Sequence, residues 1–323
     1  MKKVVIALGG NALQESGKPA TAKAQLEVIR STSTYIADII EEGYQVSIAH
    51  GNGPQVGRIV LQNEAANHIT PAMPFDVCGA MSQGMIGYHI QQALRDELKA
   101  RKRNKPVVSL VTQVLVDQGD PAFYHPTKPI GPFYTKEEAE RIKREKGYDM
   151  VEDAGRGFRR VVASPNPIKI VELDIVKNLV ESDYIVVTVG GGGIPVIEKE
   201  DGKLYGAEAV IDKDLASERL AEDLDADILL ILTAVDQVAI NFGKPNQENL
   251  DHISVEEAYQ YIGEGHFAQG SMLPKIKAAI KFAESKTGRQ SIIASLSQGR
   301  EALLGNSGTI IENIQNASCI AVL

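Results

Sequence analysis

The chain has 323 residues, 43% of them hydrophobic and 24% charged, enough apolar material for a buried core and too little charge for disorder. Thirty-four Lys and Arg against 42 Asp and Glu leave a formal net charge of −8, a balance that disfavours nucleic-acid and membrane-surface partners. Cys78 and Cys319 stand far apart with no CxxC or metal-ligand neighbour, so neither a disulfide framework nor a structural zinc site is expected, and a cytoplasmic, reducing setting is.

Met1-Lys2-Lys3 precedes only five apolar residues before Gly9-Gly10, too short a run for a secretory signal, and no stretch offers the ~20 apolar residues of a membrane span. Short β-branched runs at residues 4–8, 45–50, 107–111, 184–189, 228–232 and 292–295 read as buried strands. Amphipathic patterns at 23–42, 80–103, 168–180, 215–224, 255–262 and 274–285 read as the helices between them. This alternation predicts one α/β domain, an open αβα sandwich around a mostly parallel sheet. Residues 117–167 break the rhythm with prolines, aromatics and a charged helix near 136–146. They are expected to form an inserted lid subdomain, with a surface excursion as the alternative. Residues 316–323, including the sequon at Asn316, receive no function.

Three predicted strands run into glycine-rich turns: Gly9, Gly10 and Asn11; Gly51, Asn52 and Gly53; and Gly190, Gly191, Gly192 and Gly193. Glycine there lets backbone N–H groups approach an anion, and the following helix N-terminus adds positive potential. Tight-turn sterics alone would also place glycine at such positions. Neither GxGxxG nor GxxxxGK[ST] is present, nor HExxH nor GxSxG, which disfavours dinucleotide, P-loop, zinc-protease and acyl-serine chemistry. Asn241-Phe242-Gly243 lacks the acid and the companion motifs of a protein kinase. The basic run 99–105 ends a helix, where cations suit the dipole. Ala80, Gly84 and Gly87 fit either a close partner or core packing.

Lys213 and Lys275 fall at the starts of two predicted helices, facing the positive end of the peptide dipole. That conflict, a few tenths to ~1 kcal/mol, is relieved by an anion lying between them; for either lysine alone, an ammonium bent into water is an equal reading. Asp214 is either a helix N-cap or the residue that keeps the lysines in register. Lys128 sits between Pro126 and Pro129, which hold its backbone extended,.

Ala7-Leu8-Gly9-Gly10-Asn11-Ala12, His50 through Gly57 (HGNGPQVG), the four glycines with Ile194-Pro195, Val210 through Asp214 (VIDKD) and Pro274-Lys275 together resemble the amino acid kinase fold and, within it, the carbamate kinase family, over residues 4–312. The resemblance implies phosphoryl transfer between ATP and carbamate, giving ADP and carbamoyl phosphate, with Mg2+ carried mainly on the nucleotide phosphates, no metal site of the chain's own, and a homodimer built around a continuous sheet. It implies that Lys128, Lys213, Asp214 and Lys275 are catalytic and that Gly9, Gly10, Asn11, Gly51, Asn52 and Gly53 bind the substrate in the N-terminal part. The nucleotide is then expected in the C-terminal part, about 184–312, near Gly190 to Gly193, Asp236, Phe242, Met272 and Pro274. Many members of the wider fold carry lysine where this chain has Ala7, and Lys128 from the insertion fills that position. Another acyl-phosphate-forming enzyme such as acetylglutamate kinase, and a nucleotide-binding protein without turnover, are the alternatives.

Overall fold

The computed structural model describes residues 1–15, 17–153 and 155–314; Cys319 and Asn316 lie outside them. The chain opens with β1 (Lys3–Leu8), α1 (Ala22–Glu41), β2 (Gln45–His50), α2 (Gly53–Ala66), α3 (Phe75–Ala100), β3 (Val107–Ser109) and β4 (Gln113–Leu115). The excursion follows: β5 (Lys128–Tyr134), α4 (Lys136–Lys146), β6 (Met150–Glu152) and β7 (Phe158–Val162). The chain returns through β8 (Lys169–Ile170), α5 (Leu173–Glu181), β9 (Ile185–Val187), β10 (Ile194–Glu198), β11 (Leu204–Gly206) and α6 (Lys213–Asp223). It ends with β12 (Ile228–Thr233), β13 (Val238–Ile240), β14 (Glu248–Leu250), β15 (His252–Ser254), α7 (Val255–Gly263), α8 (Met272–Glu284), β16 (Gln290–Ser295), α9 (Gly299–Leu303) and β17 (Thr309–Glu312).

All six strands expected from the sequence lie in one eight-stranded sheet, ordered β15-β17-β16-β12-β1-β2-β9-β3. Its neighbours pair in parallel except β16 with β17. Side chains alternate across it: Val4, Ile6 and Leu8 of β1 join the core under α1 and α3, whereas Val5 and Ala7 join the core under α6 and α8,. Both faces are therefore dry, as a parallel sheet between helical layers requires. From β1 the order runs out one way through β2, β9 and β3 and the other way through β12 and β16. The β1/β12 boundary is thus a topological switch point, the place where an open α/β sheet leaves a crevice at its carboxyl edge.

Local chemistry moves several helix boundaries. The helix expected from 168 starts at Leu173, because Ile168 N–H bonds to Leu115 O and Val171 N–H to Gln113 O, drawing this stretch into strand pairing beside β4. With Pro74 at its N-cap position, α3 begins at Phe75, five residues ahead of the expected start. Pro54 opens α2 directly after the second glycine turn, and the glycines of that motif hid this helix from the sequence,. The excursion carries its own sheet, β5-β7-β6, and departs and returns on β4 and β8, which pair antiparallel.

Candidate active site

At the switch point the first glycine turn is fastened by Gly9 N–H to Leu232 O, 3.2 Å, and a Cβ at Gly9 would meet that carbonyl at 3.0 Å. A cavity of about 160 Å3 opens beside it, lined by Gly9, Gly10 and Asn11, by Thr233 and Ala234 at the end of β12, and by Lys213 and Lys275. The second turn closes in from β2: Gly51 N–H bonds to Leu8 O at 3.2 Å, and a Cβ on Gly51 would lie 3.4 Å from Lys213 Cδ.

The two core lysines converge on one carboxylate. Lys213, the first residue of α6, stands 2.9 Å from Asp214 Oδ1, and Lys275, in the first turn of α8, donates to Asp214 Oδ2 at 2.8 Å. Burial alone would raise the Asp214 carboxyl; the two ammonium groups outweigh it and hold it well below the usual carboxylate range,. Burial pulls Lys213 down, with Asp214 opposing and Lys275 adding to the fall. The cap of α6 is Asp212, whose Oδ1 accepts the Asp214 N–H at 2.8 Å. Asp214 is therefore the residue that gathers the lysines, and capping is its neighbour's work. Lys128 lies at the foot of the inserted sheet, its Nζ 2.5 Å from Asp212 Oδ2. Asp212 was missed from the sequence, since an aspartate before an apolar helix is the commonest of caps.

The three glycine turns differ in why they need glycine. A Cβ at Gly10 or Gly53 would meet nothing within 4 Å, so these backbones border open space. At the third turn it would strike His50 Nε2 at 2.5 Å from Gly190, Asn52 Nδ2 at 2.2 Å from Gly191, Ile211 O at 2.2 Å from Gly192 and a Val114 methyl at 2.2 Å from Gly193. Close packing accounts for all four: Gly190 and Gly191 lie against the second glycine turn, Gly192 and Gly193 against Ile211 and Val114, and none of them lines the cavity. Val189 just before them is buried with φ +42°, an outlying conformation for a β-branched residue and one that marks local strain. Asn52 donates through Nδ2 to Ser82 Oγ at 2.7 Å, which fixes it in place. His50 is buried; desolvation first, and Lys213 besides, lowers it to about 4. It stays neutral and donates from Nδ1 to Gly51 O at 2.9 Å.

Of the residues assigned to the nucleotide side, Pro274 and half-buried Met272 belong to the first turn of α8 beside Lys275, while Asp236 and Phe242 are exposed. Gly87 packs on Ser109 in the core, whereas Gly84 stays exposed. Within the basic run, Arg101 pairs with Asp38, Glu41 and Glu97, Arg103 with Glu41, and Lys105 with Asp183.

A model of the amino acid kinase family matches residues 2–295. The chain belongs to the amino acid kinase family. It is 56% identical over 312 residues to a carbamate kinase of Clostridium perfringens, covering 96% of this chain and 99% of the relative. It is 55% identical over 313 residues to the carbamate kinase-like protein YqeA of Escherichia coli, covering 96% and 99%. Among solved structures, the carbamate kinase from Giardia lamblia bound to AMP-PNP superposes with a TM-score of 0.89 at 45% identity, over 97% of this chain and 98% of that one. No helix among the described residues is long and apolar enough to cross a membrane.

Proposed function

We infer that this chain is a carbamate kinase, transferring a phosphoryl group reversibly between ATP and carbamate to give ADP and carbamoyl phosphate. One observation carries the reading: Lys213 and Lys275, both at helix starts, are held by a single buried carboxylate and line one cavity with the Gly9–Asn11 turn. Phosphoryl transfer needs alignment and charge neutralisation more than covalent help, and fixed ammonium groups supply both. In this reading the backbone of Gly9, Gly10 and Asn11 with that of Gly51, Asn52 and Gly53 cradles the carbamate and the transferring group. Lys213 neutralises the transferring oxygens, Lys275 the nucleotide side, Lys128 approaches from the insertion, and Asp214 keeps the two core lysines in register. Carbamate is already anionic, so no general base is required, which agrees with a neutral, buried His50.

Asp212 and Asp214 are both engaged by lysines, so magnesium belongs to the substrate in this proposal, arriving on the nucleotide phosphates. The base and ribose lie toward Asp236, Phe242, Met272 and Pro274; the Gly190–Gly193 turn supports the carbamate side from behind. The proposal includes a cytoplasmic homodimer. Exposed Val77, Met81 and Tyr88 on one side of α3, together with Val111 beyond the edge strand β3, support that contact,. Supplying ADP, magnesium and carbamoyl phosphate and assaying ATP tests the function. ATP formation is expected; no ATP from carbamoyl phosphate, with turnover on another acyl phosphate or none, overturns it.

A further inference from the structure

Lys128 opens β5 and so stands at the base of the inserted sheet, not at its crown. That base is sewn to the segment leading into α6. Ala163 bridges Ala209 in parallel, Val210 N–H bonds to Ala163 O at 2.9 Å, and Ile130, Val162 and Val210 form one buried cluster. Two residues further on, Asp212 spends its two oxygens on opposite sides of this seam: Oδ1 caps α6 through Asp214 N–H, and Oδ2 takes the Lys128 ammonium. Its side chain is 13% exposed and that of Lys128 32%, so this pair is screened less than the surface pairs that contribute little.

We propose that Asp212 is the positioning residue for Lys128, fixing the ammonium from the insertion to the same helix start that carries Lys213 and Asp214. The proposal rests on the role given to Lys128 above. A lysine ordered only on encounter with substrate gives up rotamer freedom at that moment, whereas one held beforehand by a shielded carboxylate does not. The ammonium has three N–H donors, and the bond to Asp212 leaves two for an anion. The alternating Asp-Lys-Asp of residues 212–214 thereby acquires a division of labour. Asp214 organises the two core lysines, Asp212 organises the third, and three lysines against two aspartates leave one net positive charge for the anionic guest.

Asp212→Asn keeps an oxygen for the cap and removes the charge; Asp212→Ser caps without reaching Lys128. In the full chain with ADP, magnesium and carbamoyl phosphate, both variants are expected to lower kcat/KM for carbamoyl phosphate about tenfold or more, with KM for ADP within about twofold of the parent. Lys128→Ala combined with Asp212→Asn is expected to lose no more than Lys128→Ala alone. Parent rates in Asp212→Asn, or losses that multiply in the double variant, overturn the inference. A measurement independent of turnover separates it from the activity it rests on: acylation of Lys128 by an amine-reactive ester, followed by peptide mass spectrometry. The rate is expected to rise severalfold in Asp212→Asn; an unchanged rate overturns the positioning role whether or not the chain makes ATP. A parent enzyme that makes no ATP overturns the function and leaves the labelling to decide this point.

Discussion

A single carboxylate serving two ammonium groups leaves no reserve when it is lost. Asp214→Ala leaves Lys213 and Lys275 side by side in a buried setting without the carboxylate that joins them, and is expected to cost about 3–5 kcal/mol of stability by urea unfolding,. The sign of its pH effect follows from its depressed acidity. The stability Asp214 contributes is complete above the ordinary carboxylate range and is lost as pH falls through its lowered value, so removing it flattens the acid limb of the stability profile. Lys213→Ala and Lys275→Ala are each expected to lower kcat by ~10²-fold or more, read by coupled ATP assay; parent rates in both would put the chemistry elsewhere. At this scale the sequence was informative about type, and it offered Asp214 as the partner of the two core lysines only as one of two readings, with none for Lys128. Cations at helix starts announce an electrostatic conflict, but the Lys275–Asp214 and Lys128–Asp212 pairs are 61 and 84 residues apart, and no local spacing encodes which lysine meets which acid.

Helices α6 and α8 carry those lysines, and a second tie holds the helices together. Glu218 is fully buried and accepts from Lys281 Nζ at 2.6 Å, while its other oxygen has no hydrogen-bond partner among the described residues. Burial pushes Glu218 up to about 7, with Lys281 opposing and Glu222 adding. Because the folded form holds its proton more tightly than the unfolded chain, the favourable contribution is present below about pH 4.5 and is lost as pH rises through about 7,. Glu218→Gln is therefore expected to match the parent near pH 5 and to exceed it by roughly 1–3 kcal/mol near pH 8. A pH-independent difference in urea unfolding would contradict this. At Gly191, with φ +67°, a Cβ would lie 2.2 Å from Asn52 Nδ2, so Gly191→Ala is expected to cost about 1–3 kcal/mol and to raise KM for carbamoyl phosphate as Asn52 is displaced. Elements with strong periodicity were legible, and all six strands fell into the central sheet. The whole of α2 was not, because glycines that open a helix after a tight turn look the same as glycines that end structure. The 168–172 stretch was lost to β4, a partner whose pull is tertiary.

Across the whole molecule, strand order was the least legible property. Alternation of runs fixes a parallel sheet, but the reversal at β1/β12 depends on which way each crossover turns, and that is decided by packing of faces from both halves of the chain. The order leaves β3 as an edge strand, and an unpaired edge beside exposed apolar side chains invites a second sheet. Tyr88→Glu with Val111→Lys is expected to convert a dimer to a monomer in sedimentation velocity, with the far-UV spectrum unchanged; a parent that already sediments as a monomer contradicts the homodimer. The excursion stands on feet only a strand spacing apart, since Val114 on β4 lies opposite Ile170 on β8. Its crown is thus a cassette: grafting in a crown of different length or shape requires no rethreading of the main scaffold, and the lysines and aspartates at the starts of α6 and α8 keep their places.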